Sequence, residues 1–408
     1  MTNSELTALL GGWEGYAIES VERREEEGCE KPQLRITLSP VPGMTMTCSG
    51  CGQKRLTLHD VYERPIRELP VFDAECVLLV KRRRVACPDC GPKLEELSWL
   101  QRYARVTRRL AESVARLCRI LPVKQVAEYF GLSWGTVRDI DKATLLEEFG
   151  EPDLTGIEQI AIDEFAIQKG HRYATVIIEP ATRRVLWIGR GRGREDVRPF
   201  FKLLGEEGCQ RLKACAMDMS AAYANELKEN CPQAEIVYDL FHVIVKYGRE
   251  VIDRVRVDEA NRLKSDKAAR KIIKGSRWLL LRNRKNVSPD DRVKLDELLS
   301  ANRKLLKVYV LKDDLKHLWD YTYRGAAERF WNDWYRRAIY SRIEPLKKFA
   351  RNLKEYIPGI LSHCRWPLHT SVLEGINNKI KVIKRNAYGF RDDEYFFLKV
   401  RQAFPGIQ

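Results

Sequence analysis

The sequence predicts a multidomain α+β chain, and three observations predict it. Two Cys-x-x-Cys pairs stand near the N-terminus, a helix–turn–helix pattern follows, and strands then alternate with helices until a long polar helical block takes over. The chain has 408 residues, enough for several domains with a sizeable core. Hydrophobic content of 44% is ordinary for a globular protein. The net charge of +15 and the pI of 9.3 are not, and they favour a polyanionic partner, nucleic acid before an anionic membrane surface. No apolar run reaches the roughly 18 residues that a membrane-crossing helix needs. Met1-Thr2-Asn3-Ser4-Glu5 lacks the basic and apolar regions of a signal peptide. The expectation is a reducing cytoplasm, where eleven cysteines serve as metal ligands and buried thiols rather than disulfides.

Residues 1–45 open with a short helical pattern and a Glu-rich stretch, and Leu34 to Leu38 then alternates as a strand. Cys48-Ser49-Gly50-Cys51-Gly52 and Cys87-Pro88-Asp89-Cys90-Gly91 are two knuckles, each turning both sulfurs toward one point, as a tetrahedral Zn²⁺ requires. The intervening segment is strand-like, which suits a zinc ribbon. Cys29 and Cys76 are bystanders in this scheme. Lys81 to Arg84 is placed at a strand end, either touching phosphate or forming a solvated charged face. Residues 107–145 read as three helices, the first capped by Thr107. In the second and third, small Ala127, turn Gly131, capping Ser133 and apolar Val137 and Ile140 fit a helix–turn–helix. Its second helix would enter the major groove and present Trp134, Thr136 and Arg138; an ordinary helical hairpin is the alternative, which the basic composition disfavours.

After Glu151-Pro152-Asp153 the pattern turns to β. Ile157 to Ile167, Tyr173 to Ile178 and Arg184 to Ile188 are three strands, with a turn at Lys169-Gly170. The Gly189 to Gly193 stretch leads into a helix through Phe200. Leu212 to Asp218 is a fourth strand ending in an acid, and after a helix Glu235 to Asp239 is a fifth. Three antiparallel strands, a helix, a strand ending in Asp, a helix and a strand is the order of an RNase H-like α/β domain. In that order the first and fourth strands are neighbours, so Asp163 and Asp218 could share one cation. Alternation puts Glu164 on the opposite sheet face from Asp163. An acid among apolar strand residues is costly unless paired or metal-bound.

Residues 243–365 are helical, polar and basic, with a serine-capped helix starting at Ser288-Pro289. Trp319, Trp331 and Trp334 are expected to pack this block. His59, His317, His363 and His369 show no ligand-like spacing. The last helix, Thr370 to Arg385, has an apolar face of Leu373, Ile376, Ile380 and Ile383 and another face of Glu374, Asn378, Lys381 and Arg385. Ser371-x-x-Glu374 matches a capping box, so on this helix alone Glu374 reads first as a cap. Asp163 and Asp218 reverse that preference, because three acids suit hard divalent cations. The two roles are compatible, since a helix N-terminus stabilises a carboxylate.

The knuckles, the helix–turn–helix, Ile162-Asp163-Glu164, Met217-Asp218-Met219-Ser220, Tyr238-Asp239-Leu240-Phe241-His242, Glu374 through Lys381 to Arg385, and Ala387-Tyr388-Gly389-Phe390-Arg391 together carry a resemblance. The chain resembles the ISL-three family of bacterial insertion-sequence transposases, with a DDE-type catalytic domain, over nearly its whole length. The resemblance implies Asp163, Asp218 and Glu374 as the catalytic, metal-binding triad and the helical block as an insertion domain. Asp239 and His242 match a family segment, in chemistry or in support of the site. The expected domains are 1–100 with the zinc ribbon (Cys48, Cys51, Cys87 and Cys90), 101–150 helix–turn–helix, 151–245 catalytic core, 246–365 all-helical insertion, and 366–408 the end of the core with the Glu374 helix.

The implied chemistry is two-metal phosphoryl transfer with two Mg²⁺ (or Mn²⁺) per site, roughly 3.5–4 Å apart, beside a structural Zn²⁺. Hydrolysis at the element ends would free 3′-hydroxyls that then attack target DNA. The expected partners are double-stranded DNA, as terminal inverted repeats and target, and a second copy of the chain on that DNA, with no membrane. Asn378, Lys381, Lys384 and Arg385 are expected to contact DNA phosphates, and the location is cytoplasmic, at the nucleoid. A non-catalytic DNA-binding regulator and an RNase H-like nuclease acting on another substrate are the alternative classes.

Overall fold

The computed structural model describes residues 2–25, 31–168, 172–282, 284–368 and 371–407. Cys29, the Lys169-Gly170 turn, His369, Thr370 and the side chain of Ser371 lie outside the described residues, and with Ser371 goes the capping box expected for Glu374. The chain divides between Gly150 and Glu151 into two compact units; Arg385–Leu398 belongs with the first and Lys399–Gln408 with the second.

The first unit opens with helix α1 (Asn3–Leu10), held by a Thr2–Glu5 capping box. Seven strands follow: β1 (Tyr16–Arg24), β2 (Gln33–Pro40), β3 (Met46–Cys48), β4 (Lys54–Arg55), β5 (Leu58–Val71), β6 (Ala74–Cys87) and β7 (Gly91–Glu96). They form one sheet in the order β1-β2-β6-β7-β3-β4, with β5 on the other side of β6. This sheet is larger than the ribbon the cysteine spacing suggests. Alternation along β6 buries Cys76, Leu78 and Val80 against Ile36 and Leu38 of β2 and Ile66 of β5. Cys76 is therefore a core residue. Pro65 is tolerated because β5 is an edge strand.

The Lys81–Arg84 run corrects the sequence expectation. It lies inside β6, not at a strand end, and each cation has a partner within the protein. Lys81 pairs with Glu19, Arg83 with buried Glu95, and Arg84 with Asp60, while Arg82 donates to the Glu95 carbonyl at 2.9 Å. Tyr16 Oη adds a bond to Glu95 at 2.9 Å. The run is thus neither a free phosphate contact nor a solvated face, because acids distant in sequence neutralise it.

Helices α2 (Arg108–Cys118), α3 (Val123–Phe130) and α4 (Trp134–Phe149) complete the helix–turn–helix. Thr107 caps α2 and Ser133 caps α4 through the Thr136 N–H. Gly131 turns the chain at φ +62°, where its missing side chain also leaves room for the Glu75 carboxylate. Leu110, Val114, Cys118, Val126, Ala127, Phe130 and Val137 form the buried seam.

The second unit begins with β8 (Gln159–Gln168), β9 (Arg172–Glu179) and β10 (Arg184–Arg190), all antiparallel. Helix α5 (Arg194–Arg211) runs past Phe200 and breaks at Gly205, φ +72°. Then come β11 (Ala214–Met217), α6 (Ala221–Asn230), β12 (Glu235–Tyr238) and α7 (Leu240–Tyr247). The sheet order is β10-β9-β8-β11-β12, so the first and fourth strands are neighbours, paired in parallel. Ile160, Ile162, Ile177, Cys215 and Met217 are fully buried, each aliphatic side chain contributing about 1.5–3 kcal/mol. A run of helices from α8 (Asp253–Arg262) to α15 (Ile357–Leu361) follows. Trp331 and Trp334 are buried in one core continuous with that of the sheet, and Trp319 packs against that core. Helices α16 (Ser371–Asn386) and α17 (Asp393–Ala403) end the chain.

Candidate active site and metal centre

The parallel register of β8 and β11 positions the two strand acids. Ala216 stands opposite Ala161. Continuing that register by two residues sets Asp218, just beyond β11, level with Asp163. Asp163 accepts hydrogen bonds at Oδ1 from the Glu164 N–H (2.8 Å) and at Oδ2 from Asn377 Nδ2 of α16 (2.7 Å). Burial raises its pKa above the ordinary aspartate value; the Glu164 N–H and His242 oppose this, and Asp218 adds to it. Burial raises Asp218 likewise, against the pull of His242, the Ser220 N–H and Arg192. Asp218 Oδ1 and Asn377 Oδ1 are buried and have no hydrogen-bond partner among the described residues.

Two further groups surround the pair. Asp239 occupies the N-cap position of α7, and its carboxylate lies 3.2 Å from His242 Nδ1. That bond raises the imidazole's basicity, and the resulting charge favours ionised Asp163 and Asp218. The sequence places Glu164 on the opposite sheet face from Asp163 and assigns it no role. Alternation does put it on the other face, where its cross-strand neighbour Thr175 bonds Tyr223 Oη at 3.0 Å. Glu164 nevertheless belongs to the same charge cluster. Burial first, then Asp218 and Asp163, push it up to about 6, and Arg192, 3.8 Å away, moderates the shift. Arg192 itself lies over the Tyr173 ring at 4.0 Å. The Asp-Glu doublet inside an apolar strand was the available signal for Glu164.

On α16, Leu373, Ile376 and Ile380 are buried, as the apolar periodicity requires. Glu374 is exposed in the first turn, one turn before Asn377 and on its side of the helix. It does not close with Asp163 and Asp218 into a tight three-acid cluster. Among the described residues, the four cysteines are the group of three or more such ligands lying within 4.8 Å of one another. Asn378, Lys381 and Arg385 are exposed, and Lys381 Nζ donates to Asn378 Oδ1 at 3.2 Å. Lys384 instead donates to the Ala166 and Ile167 carbonyls at 3.2 Å, tying α16 to the strand that bears Asp163. Hard oxygen donors, mutual repulsion and an orphaned buried carboxylate oxygen fit a divalent cation.

The cysteine centre joins the ends of β3 and β6 to the turns after them. All four sulfurs of Cys48, Cys51, Cys87 and Cys90 lie within 4.8 Å, with Cys51 and Cys87 3.7 Å apart. Gly52 and Gly91 turn the knuckles at φ near +70°, and a Cβ on Gly50 would meet Cys90 Sγ at 3.0 Å. Burial opposes ionisation of Cys87, yet the Asp89 and Cys90 N–H groups outweigh it and lower the thiol to about 6. Four sulfurs in this space fit a tetrahedral zinc ion. In the helix–turn–helix, Trp134 is half exposed and Arg138 lies over its ring at 5.3 Å. Arg138 also bonds Asp139, and the Thr136 and Ser133 hydroxyls are hydrogen-bonded at 2.9 Å.

Family models match three consecutive stretches. Residues 45–90 match the zinc-finger of transposase IS204/IS1001/IS1096/IS1165, residues 95–144 the helix-turn-helix domain of transposase family ISL3, and residues 160–400 the ISL3 DDE model described as Transposase. The chain is 54% identical over 407 residues to the transposase for insertion sequence element IS1001 of Bordetella parapertussis, covering 100% of this chain and 99% of that one. It is 25% identical over 421 residues to the transposase for IS1557 of Mycobacterium tuberculosis, covering 95% and 92%. No described helix is long and apolar enough to cross a membrane.

Proposed function

The chain belongs to the ISL3 family of insertion-sequence transposases, and from that premise we propose that it binds the terminal inverted repeats of its element and cuts and rejoins DNA through Asp163, Asp218 and Glu374. It is a DDE-type transposase with a zinc ribbon and a helix–turn–helix. The catalytic domain is read as RNase H-like, on the strand order β10-β9-β8-β11-β12, and the helices from α8 to α15 as an insertion between β12 and α16.

One observation carries the residue assignment. Asn377 of α16 bonds Asp163, while the neighbouring Asp218 keeps a buried oxygen without a partner. Asp163 and Asp218 would hold divalent cations, Mg²⁺ or Mn²⁺, and Glu374, one turn from Asn377, would complete the set when DNA and metal are present. Bound cations supply the Lewis acidity for in-line attack at phosphorus. Asn377 orients Asp163. Asp239 favours the protonated form of His242, whose charge would offset that of the two aspartates. Cys48, Cys51, Cys87 and Cys90 hold a structural Zn²⁺.

In the binding part of this reading, Trp134, Thr136 and Arg138 read the inverted repeat in the major groove, and Asn378, Lys381 and Arg385 line a phosphate path along α16. Lys384 is a weaker member because its ammonium is engaged with β8. The partner is double-stranded DNA, and holding two ends together calls for at least a dimer on that DNA. The test mixes purified protein, labelled repeat DNA from the flanks of its gene, and Mg²⁺ or Mn²⁺. Wild type should nick the end and join it to target DNA. Asp163→Asn and Asp218→Asn should bind the end almost normally and not cut it. Cleavage by either variant at the wild-type rate overturns the triad. End binding without nicking by wild type would instead mark a DNA-binding regulator.

A further inference from the structure

The first unit contains a surface that continues from the helix–turn–helix onto the turn after α16. Residues 387–392 form a turn beside α3 and α4, and a cavity of about 750 Å³ lies between them. Trp134 and Arg138, at the start of the recognition helix, line it from one side, and Lys124 from α3. Tyr388, Phe390 and Arg391 line it from the other. Tyr388 is 98% exposed and sits at φ +54°, a conformation that a bulky side chain rarely adopts. Gly389 follows at φ +97°.

The turn is firmly anchored. Phe390 stacks on Phe396 with centroids 4.8 Å apart and meets Tyr395 edge-on. Tyr395 Oη bonds Asp141 of α4, and Lys142 pairs with Asp392 and Glu394 at 2.8 and 2.7 Å. Leu145 of α4 is buried against Tyr395 and Leu398. A strained, fully exposed aromatic ring on a rigid base is an uncompensated cost in the free protein. Backbone strain of this kind persists where surrounding contacts over-determine it, and it concentrates at binding sites.

We propose that the Tyr388 turn is a second DNA-binding element: its ring takes an unstacked base of a bound DNA end, while Arg391 and Lys124 face the adjacent backbone. The inference rests on the proposed reading that this unit binds DNA ends. An aromatic ring stacks on any base without hydrogen-bond readout, and Lys124, Arg138 and Arg391, which outnumber the lining acids Glu128 and Asp392, suit the phosphates beside it. A second exposed ring, Trp134, carrying Arg138 over its face at 5.3 Å, also lines the cavity. A peptide partner fits less well, because the cavity mixes cations with aromatic rings beside a helix that itself addresses DNA.

The probe is a duplex copied from the inverted repeat flanking the gene, either fully paired or carrying one mispaired aminopurine near its end. The full-length protein should bind the mispaired duplex more tightly than the paired one and quench the aminopurine on binding. Tyr388→Ala should lose about tenfold in affinity for the mispaired duplex, as expected for one stacked base, keep its affinity for the paired one, and lose the quench. Tyr388→Phe should restore both. Unchanged binding and quenching by Tyr388→Ala, with end binding intact, overturns the proposal while leaving the family function standing. Equal losses on both duplexes would reassign the turn to general backbone contact and also overturn it. If the wild-type chain binds neither duplex, the end-binding reading itself fails.

Discussion

Glu164→Gln is the substitution whose effect the structure specifies most fully. Glu164 is held at about 6, against 4.5 for a free glutamate, because it is partly buried and faces Asp218 and Asp163. Its folded-state value is raised, so the folded unit binds protons more tightly than the unfolded chain between pH 4.5 and 6. Stability therefore falls as pH rises through that window, and the full penalty stands above it. At ~1.36 kcal/mol per pH unit the penalty would reach about 2 kcal/mol. The side chain is 26% exposed and lies near Arg192, so solvent screening reduces it to about 1 kcal/mol. Glutamine keeps the shape and removes the charge. The variant should match wild type at about pH 4.5 and unfold about 2–4 °C higher at about pH 8, the shift expected for about 1 kcal/mol in a unit of this size. Thermal melts in magnesium-free buffer, with zinc left in place, measure this. Added Mg²⁺ should narrow the gap, since a cation relieves the repulsion that the substitution removes. A glutamine variant no more stable than wild type at the higher pH, or equally stabilised at both pH values, would refute a charge cluster spanning both faces of β8.

Three other outcomes follow from the same contacts. Asn377→Leu removes the donor that holds Asp163 Oδ2; the cleavage rate should drop while the affinity for uncut ends stays, and single-turnover cleavage beside a gel-shift titration separates the two. Cys87→Ser removes one sulfur from the four-cysteine centre; the protein should release its zinc, measurable with a colorimetric chelator, and lose end binding together with the melting transition of the first unit. Lys381→Ala combined with Arg385→Ala should weaken strand transfer more than Mg²⁺ affinity and flatten the salt dependence of DNA binding by a slope of about 2, one per phosphate contact.

The parts of this chain legible in its sequence are those whose physical cause is local. Ser133, Gly131 and Thr107 cap and turn their helices within a few residues of themselves, so the helix–turn–helix is legible in the order of its residues. The cysteine knuckles are local in the same sense, and the two strand acids stand out because a charge in an apolar strand is an energetic anomaly wherever it occurs. What stayed hidden is what distant residues neutralise. Strand β5 carries Glu63, Arg64, Arg67 and Glu68, a pattern that breaks alternation and hides the strand. Arg67 is paired with Glu75, and buried Glu68 accepts from Trp13 Nε1 and Thr107 Oγ1 and forms an ion pair with Arg109. The Lys81–Arg84 run reads as a phosphate contact or a solvated charged face for the same reason: its acids, Glu19, Asp60 and Glu95, come from other strands.

Asn377 and Asn378 show the same limit at the site itself. They are chemically identical neighbours, and only the rotation of α16 decides which one meets Asp163. The apolar residues fix that rotation. With Leu373, Ile376 and Ile380 turned into the core, Asn377 adjoins the buried face and reaches β8, whereas Asn378 is turned outward to Lys381. Glu374 lies between these directions, one turn from each asparagine in the helical lattice. In the proposed triad it would therefore serve both the aspartates behind α16 and the proposed phosphate path in front of it.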